Sequence, residues 1–201
     1  AKKKKKLLSE STFFNYHSQV KKLIKIYKKN KLNNIFAKFI IPMPEKKSIL
    51  LSRNLGGGVL MDMGPYISAI PRIFNLKKII TKNIVIKKNN KKIITFIKFK
   101  IKFKDCTYNG IFKFGGKYKN QIEINKDYET ARIQRVFSPP DNEVLLLKTK
   151  NKNKTKILKF KKEDCFKNYF EEIQKNLKNK KFDFYCKRMI ADCEFRSNLT
   201  L

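Results

Sequence analysis

The run Ile97-Lys98-Phe99-Lys100-Ile101-Lys102-Phe103 alternates without exception between an apolar residue and a lysine. A period of two puts every apolar side chain on one face of an extended strand and every ammonium on the other, so the stretch reads as a strand with one covered and one wet face. Working outward, strand-like runs recur at 80–86, 93–103, 107–114, 121–124, 131–137, 144–149 and 156–160. Turn formers stand between them at Asn89-Asn90, Gly115-Gly116, Pro139-Pro140 and Asn151-Lys152-Asn153. Successive strands joined by short turns pair antiparallel, which predicts an open, largely antiparallel sheet.

The flanks carry a longer period. Val20, Leu23, Ile24 and Tyr27 fall on one face of a helix expected over 16–29, after a basic helix tail at 1–8. A strand over 35–41 is stopped by Pro42 and Pro44, and a helix over 58–74 follows Gly56-Gly57-Gly58. Helices over 163–178 and 183–198 close the chain. The fold class is α+β, with helices packed on one face of the sheet.

The 201 residues carry a net charge of +33, yet 41% are hydrophobic and 17 are Phe, enough to build a core. Only six of the cations are arginines (Arg53, Arg72, Arg132, Arg135, Arg188 and Arg196), and the lysines run the whole length, interleaved with Asn, Ile and Phe. Base-edge readout favours the planar guanidinium, so specific nucleic-acid binding is not expected, although salt-sensitive association with polyanions follows from the charge. Cys106, Cys165, Cys186 and Cys193 form no C-x-x-C pair and His17 is the sole histidine, so no metal site is expected and the thiols read as free in a reducing, cytoplasmic compartment. No stretch of about 18 apolar residues predicts a membrane span. Lys2 to Lys6 resemble a signal-peptide head, but polar Ser9, Glu10 and Ser11 replace the apolar segment.

The stretch with chemical content is Leu55-Gly56-Gly57-Gly58-Val59-Leu60-Met61-Asp62-Met63-Gly64-Pro65-Tyr66. Asp62 and Tyr66 stand four apart on one helical face. A phenol beside a carboxylate is either an acid–base pair or a core tyrosine satisfied by a hydrogen bond. The glycines do not form G-x-G-x-x-G and follow no strand, so they are not a dinucleotide fingerprint. Arg132, Arg135 and the turn at 136–140 either meet a charged ligand group, given arginine's fit to phosphate and carboxylate, or simply end a strand.

This stretch resembles the G-G-G-x-L-x-D-x-G-x-(Tyr or His) signature of the Gfo/Idh/MocA oxidoreductases, in the tyrosine variant of the glucose–fructose oxidoreductase and dihydrodiol dehydrogenase branch. Upstream, Glu10-Ser11-Thr12-Phe13-Phe14-Asn15-Tyr16-His17-Ser18-Gln19 resembles the family's E-A-F-M-Y-R-F-H-P-Q segment. Asn15 departs from the usual Arg, Ser18 from the usual Pro, and Pro65 is unusual. The resemblance implies that residues 1–12 end a nucleotide-binding domain and 13–201 form a substrate and oligomerisation domain. It implies hydride transfer between NAD or NADP and a sugar or nucleotide-sugar, with Tyr66 moving the proton, Asp62 orienting it or the substrate, and His17 and Asn15 near the pocket. The cofactor loop and an assisting lysine fall before Ala1 in the family, so the fragment alone is expected to be inactive. A homo-oligomer paired through the sheet face is also implied. A basic nucleic-acid-binding module and a non-catalytic scaffold are the alternatives.

Overall fold

A computed structural model describes residues 6–30, 33–152 and 154–200. One eight-stranded sheet organises it. The strands are β1 (Asn34–Ile41), β2 (Ile79–Lys88), β3 (Ile94–Phe103), β4 (Thr107–Phe114), β5 (Lys119–Lys126), β6 (Glu129–Gln134), β7 (Leu145–Asn151) and β8 (Lys154–Phe160). Their order is β2-β3-β4-β1-β5-β6-β7-β8. All neighbours pair antiparallel except β1 and β4, which run parallel at the centre. β1 is far from β4 and β5 in sequence, and its pure Ile/Phe/Ala inner face suits the most buried place in the sheet.

The alternation in β3 resolves as expected: Ile97, Phe99, Ile101 and Phe103 are buried, and Lys98, Lys100 and Lys102 are exposed. The inner face packs against α1 (Ser18–Asn30), α2 (Val59–Asp62) and α3 (Gly64–Ile73), whose Val20, Leu23, Val59, Met63, Ile67 and Ile70 join one core with Ile35, Phe112, Ile122 and Ile133. Each such side chain contributes about 1.5–3 kcal/mol on burial. α4 (Cys165–Lys178) and α5 (Phe182–Ser197) complete the helical side, α5 lying along α3. An Arg72–Asp192 pair joins them: Arg72 Nε donates to both carboxylate oxygens at 2.9 and 3.0 Å, and Asp192 is 3% exposed.

Three expectations are corrected. Lys6 to Leu8 are not helical, and residues 1–5 of the expected basic helix lie outside the described residues. The helix expected over 58–74 is two helices, broken at Met63, which places Pro65 in the first turn of α3, where no intrahelical N–H bond is lost. Further along, Pro71 cannot donate to the Ile67 carbonyl; the buried Tyr108 hydroxyl of β4 donates to it instead, at 3.3 Å. The strand expected over 131–137 ends at Gln134, because Arg135 takes a left-handed backbone (φ 56°) and its N–H donates to the Asn120 carbonyl at 2.7 Å. That kink turns Phe137 off the sheet and into the core.

Candidate active site

The glycine loop is shaped by its own backbone. A Cβ on Gly57 would lie 2.5–2.7 Å from the carbonyl oxygens of Ile49, Leu50 and Ser52, so only glycine fits over the short 3-10 turn Ile49–Leu51. Three carbonyls at this point repel rather than hold phosphate. The loop therefore does not fit a dinucleotide pyrophosphate, in line with its missing fingerprint.

The loop delivers Asp62 at the end of α2 and Tyr66 in the first turn of α3. The break at Met63 keeps both on the same side of the sheet. Tyr66 is partly buried, with its ring against Phe14 (centroids 5.9 Å), Phe39 of β1 (5.6 Å) and Phe137 (5.3 Å). Burial, then the nearby Asp62 and Tyr118, pushes its phenol above the usual range. Asp62 is exposed at the helix end, and desolvation by its surroundings pushes its carboxyl up. A phenol so placed holds its proton, which suits a proton donor; a base would need a cation brought alongside.

Asn120 and Tyr118, which the sequence does not single out, hold the surroundings of this ring through Phe137 and Phe39. Asn120 of β5 accepts from the Phe137 N–H at 2.9 Å and donates to Tyr118 at 3.0 Å and Ser138 at 2.9 Å. It thereby fixes the loop after the Arg135 kink. Tyr118 stands edge-on to Phe39 at 6.5 Å, and the Arg135 guanidinium lies over its ring at 5.5 Å. Arg135 also approaches Glu143 at 3.8 Å, while its Nε is buried without a partner. The double bond of Asn120 to both ends of this loop depends on non-local pairing and left no sequence pattern.

The two motif stretches meet physically. Phe14 touches Tyr66, and Arg196 of α5 joins Glu10 (3.0 Å) to Ser68 (3.4 Å), whose hydroxyl donates to the Gly64 carbonyl at 3.1 Å. A Cβ on Gly64 would lie 2.9 Å from Arg196 Cδ, which explains a glycine there.

The remaining candidates lie elsewhere. His17 is fully buried; its Nδ1 accepts from the Gln19 N–H at 3.1 Å, and its Nε2 has no partner. Burial outweighs Glu163, 3.8 Å away, and lowers the His17 pKa, so the imidazole is neutral. Asn15, with its amide turned to satisfy both neighbours, donates to Thr12 and accepts from Arg188 at 3.2 Å. Arg132 is not brought to Tyr66: it points to the outer sheet face and pairs with Glu123. Of the two arginines, Arg135 is the one that lies beside Tyr118. Among the described residues no cluster of His, Cys, Asp or Glu could hold a metal, and no helix is long and apolar enough to cross a membrane.

This sheet, with its helices on one face, is the fold of solved oxidoreductases of the Gfo/Idh/MocA type. No family model and no curated protein matches the chain. Among solved structures, it is similar to KijD10, a 3-ketoreductase from Actinomadura kijaniata seen with NADP and TDP-benzene (TM-score 0.89, 16% identity), covering 100% of this chain and 63% of that one. It is also similar to the aldose–aldose oxidoreductase of Caulobacter crescentus (TM-score 0.84, 14% identity), covering 99% of this chain and 62% of that one. A third is the UDP-N-acetylglucosamine 3-dehydrogenase GnnA of Acidithiobacillus ferrooxidans (TM-score 0.67, 11% identity), covering 89% of this chain and 55% of that one. The chain thus spans about three-fifths of the length of the first two.

Proposed function

We propose that this chain is the substrate-binding portion of an NAD(P)-dependent oxidoreductase acting on a hydroxyl-bearing or keto carbon of a sugar or nucleotide-sugar. The observation that carries the reading is Tyr66: a protonated phenol held by three aromatic rings, across the Met63 break from Asp62, inside a fold shared with sugar oxidoreductases. The hydride chemistry belongs to a nicotinamide held by a nucleotide-binding domain, since the glycine loop here does not fit the dinucleotide. The chain alone is therefore expected to turn nothing over.

What these residues supply is the proton and the grip. In reduction, Tyr66 gives its phenolic proton to the oxygen of the substrate carbon; in oxidation it takes that proton back. The raised phenol pKa keeps Tyr66 protonated, as a donor in reduction must be; as the acceptor in oxidation it would need a partner cation to lower it. Asp62, at the open end, orients sugar hydroxyls as a hydrogen-bond acceptor. Arg135, over Tyr118 and with a free buried Nε, offers a cation for a phosphate or carboxylate substituent.

The test is Tyr66→Phe in the protein that carries both domains. kcat should fall by about 10²–10⁴-fold with the melting temperature and substrate affinity little changed. A near wild-type kcat removes Tyr66 from the chemistry. Pairing of two copies through the sheet, which the resemblance implies, is not required by this site.

A further inference from the structure

The turn that carries Tyr66 has little to fix it locally. α3 begins Gly64-Pro65, its N-terminus has no side-chain cap, and the Met63 break separates it from α2. A side-chain cap is what commonly secures a first turn. Here the anchors come from further along α3 and from α5. Ser68, 1% exposed, donates to the Gly64 carbonyl at 3.1 Å and to the Pro65 carbonyl at 3.2 Å. Arg196 donates to that hydroxyl at 3.4 Å, and its Cδ lies against Gly64, where a Cβ would approach to 2.9 Å. The guanidinium is itself held by the Glu10 carboxylate at 3.0 Å and the Cys193 sulfur at 3.1 Å.

One side chain of α5 thus packs on and bonds to the turn that ends in Tyr66. Resting on the oxidoreductase reading above, we propose that Arg196 is a positioning residue, which sets the first turn of α3 so that the Tyr66 phenol comes within hydrogen-bond reach of the substrate oxygen. Proton transfer depends on that reach, and a misplacement of about 1 Å costs about 100-fold in rate. Glu10 forms the other end of the clamp. On the same reading it lies in the stretch that leaves the nucleotide-binding domain, so Arg196 registers Tyr66 to the domain that presents the hydride. A lysine does not substitute: a single ammonium cannot span Glu10 and Ser68 while its stem covers Gly64. The other tie between α3 and α5, Arg72 with Asp192, sits at the far end of α3 and leaves this turn untouched.

The test sets Arg196→Lys and Ser68→Ala against Arg72→Lys. In the chain carrying isotope-labelled tyrosine, with Tyr66 assigned through Tyr66→Phe, the first two variants should shift the Tyr66 ring signals. Arg72→Lys should lower the melting temperature and leave those signals in place. In the protein that carries both domains, Arg196→Lys and Ser68→Ala should lower kcat by about 10–100-fold with KM changed less than about twofold, and Arg72→Lys should leave kcat unchanged. Ser68→Ala removes only a hydroxyl, so it decides the matter should Arg196→Lys fail to fold. Three results overturn the inference: Tyr66 signals that stay put in both variants; signals that move equally in Arg72→Lys, which indicates general loosening between the helices; or a wild-type kcat in both variants where Tyr66→Phe is impaired. A wild-type kcat in Tyr66→Phe itself removes the oxidoreductase reading instead, and the ring signals still report whether Arg196 fixes the tyrosine.

Discussion

Tyr66 and Tyr108 are the same side chain put to different uses by their surroundings. Tyr108 is sealed and spends its hydroxyl on the Ile67 carbonyl that Pro71 leaves unpaired, so burial alone drives its phenol far above the usual range. Tyr66 keeps an edge open beside Asp62 and Tyr118. His17 is a third contrast. Its pKa is lowered in the folded state by burial, so the unfolded chain takes up a proton first as the pH falls through about 6.5. Stability is then present above that pH and drains away below it; His17→Gln should flatten the curve as the pH falls below about 6.5, measured by urea melts at each pH. The approach to acid below that belongs to Glu163, whose carboxyl is lowered by the two Ser18 hydrogen bonds despite the desolvation that raises it.

At the scale of elements, periodicity made most of the sheet legible and could not see its interruptions. β4 matched its expected bounds because Thr107 to Phe114 alternates cleanly. Val136 and Phe137 are β-formers and extend the expected strand to 137; the left-handed turn at Arg135 that ends it is set by the Asn120 carbonyl of another strand, a non-local cause. The same holds at Met63, where a break lets Pro65 begin a helix. The motif gave Asp62 and Tyr66, but Tyr118, Asn120 and Ser138 reach the site only through strand pairing. Asn120→Ala should release the loop at 137, costing about 1–3 kcal/mol by leaving the Phe137 N–H unpaired. Arg72→Ala should cost about 3–5 kcal/mol because Asp192 stays buried without its partner, whereas replacing both by apolar residues should cost much less. Chemical denaturation of the single and double variants checks both.

The whole molecule has two faces with opposite chemistry. The inner face and its helices make a core and one aromatic-lined corner; the outer face of β1–β4 is rich in lysine. Net charge alone could not separate these, since lysine is spread evenly along the sequence, and only strand register shows that β1–β4 concentrate it on one side. A sugar substrate at the Tyr66 corner is the proposal on which the function rests. The most direct measurement is a tyrosine-labelled NMR titration with a nucleotide-sugar. The Tyr66 and Tyr118 ring signals should move together while those of buried Tyr108 stay still; perturbation that bypasses Tyr66, or none at saturating ligand, would rule out a substrate site there.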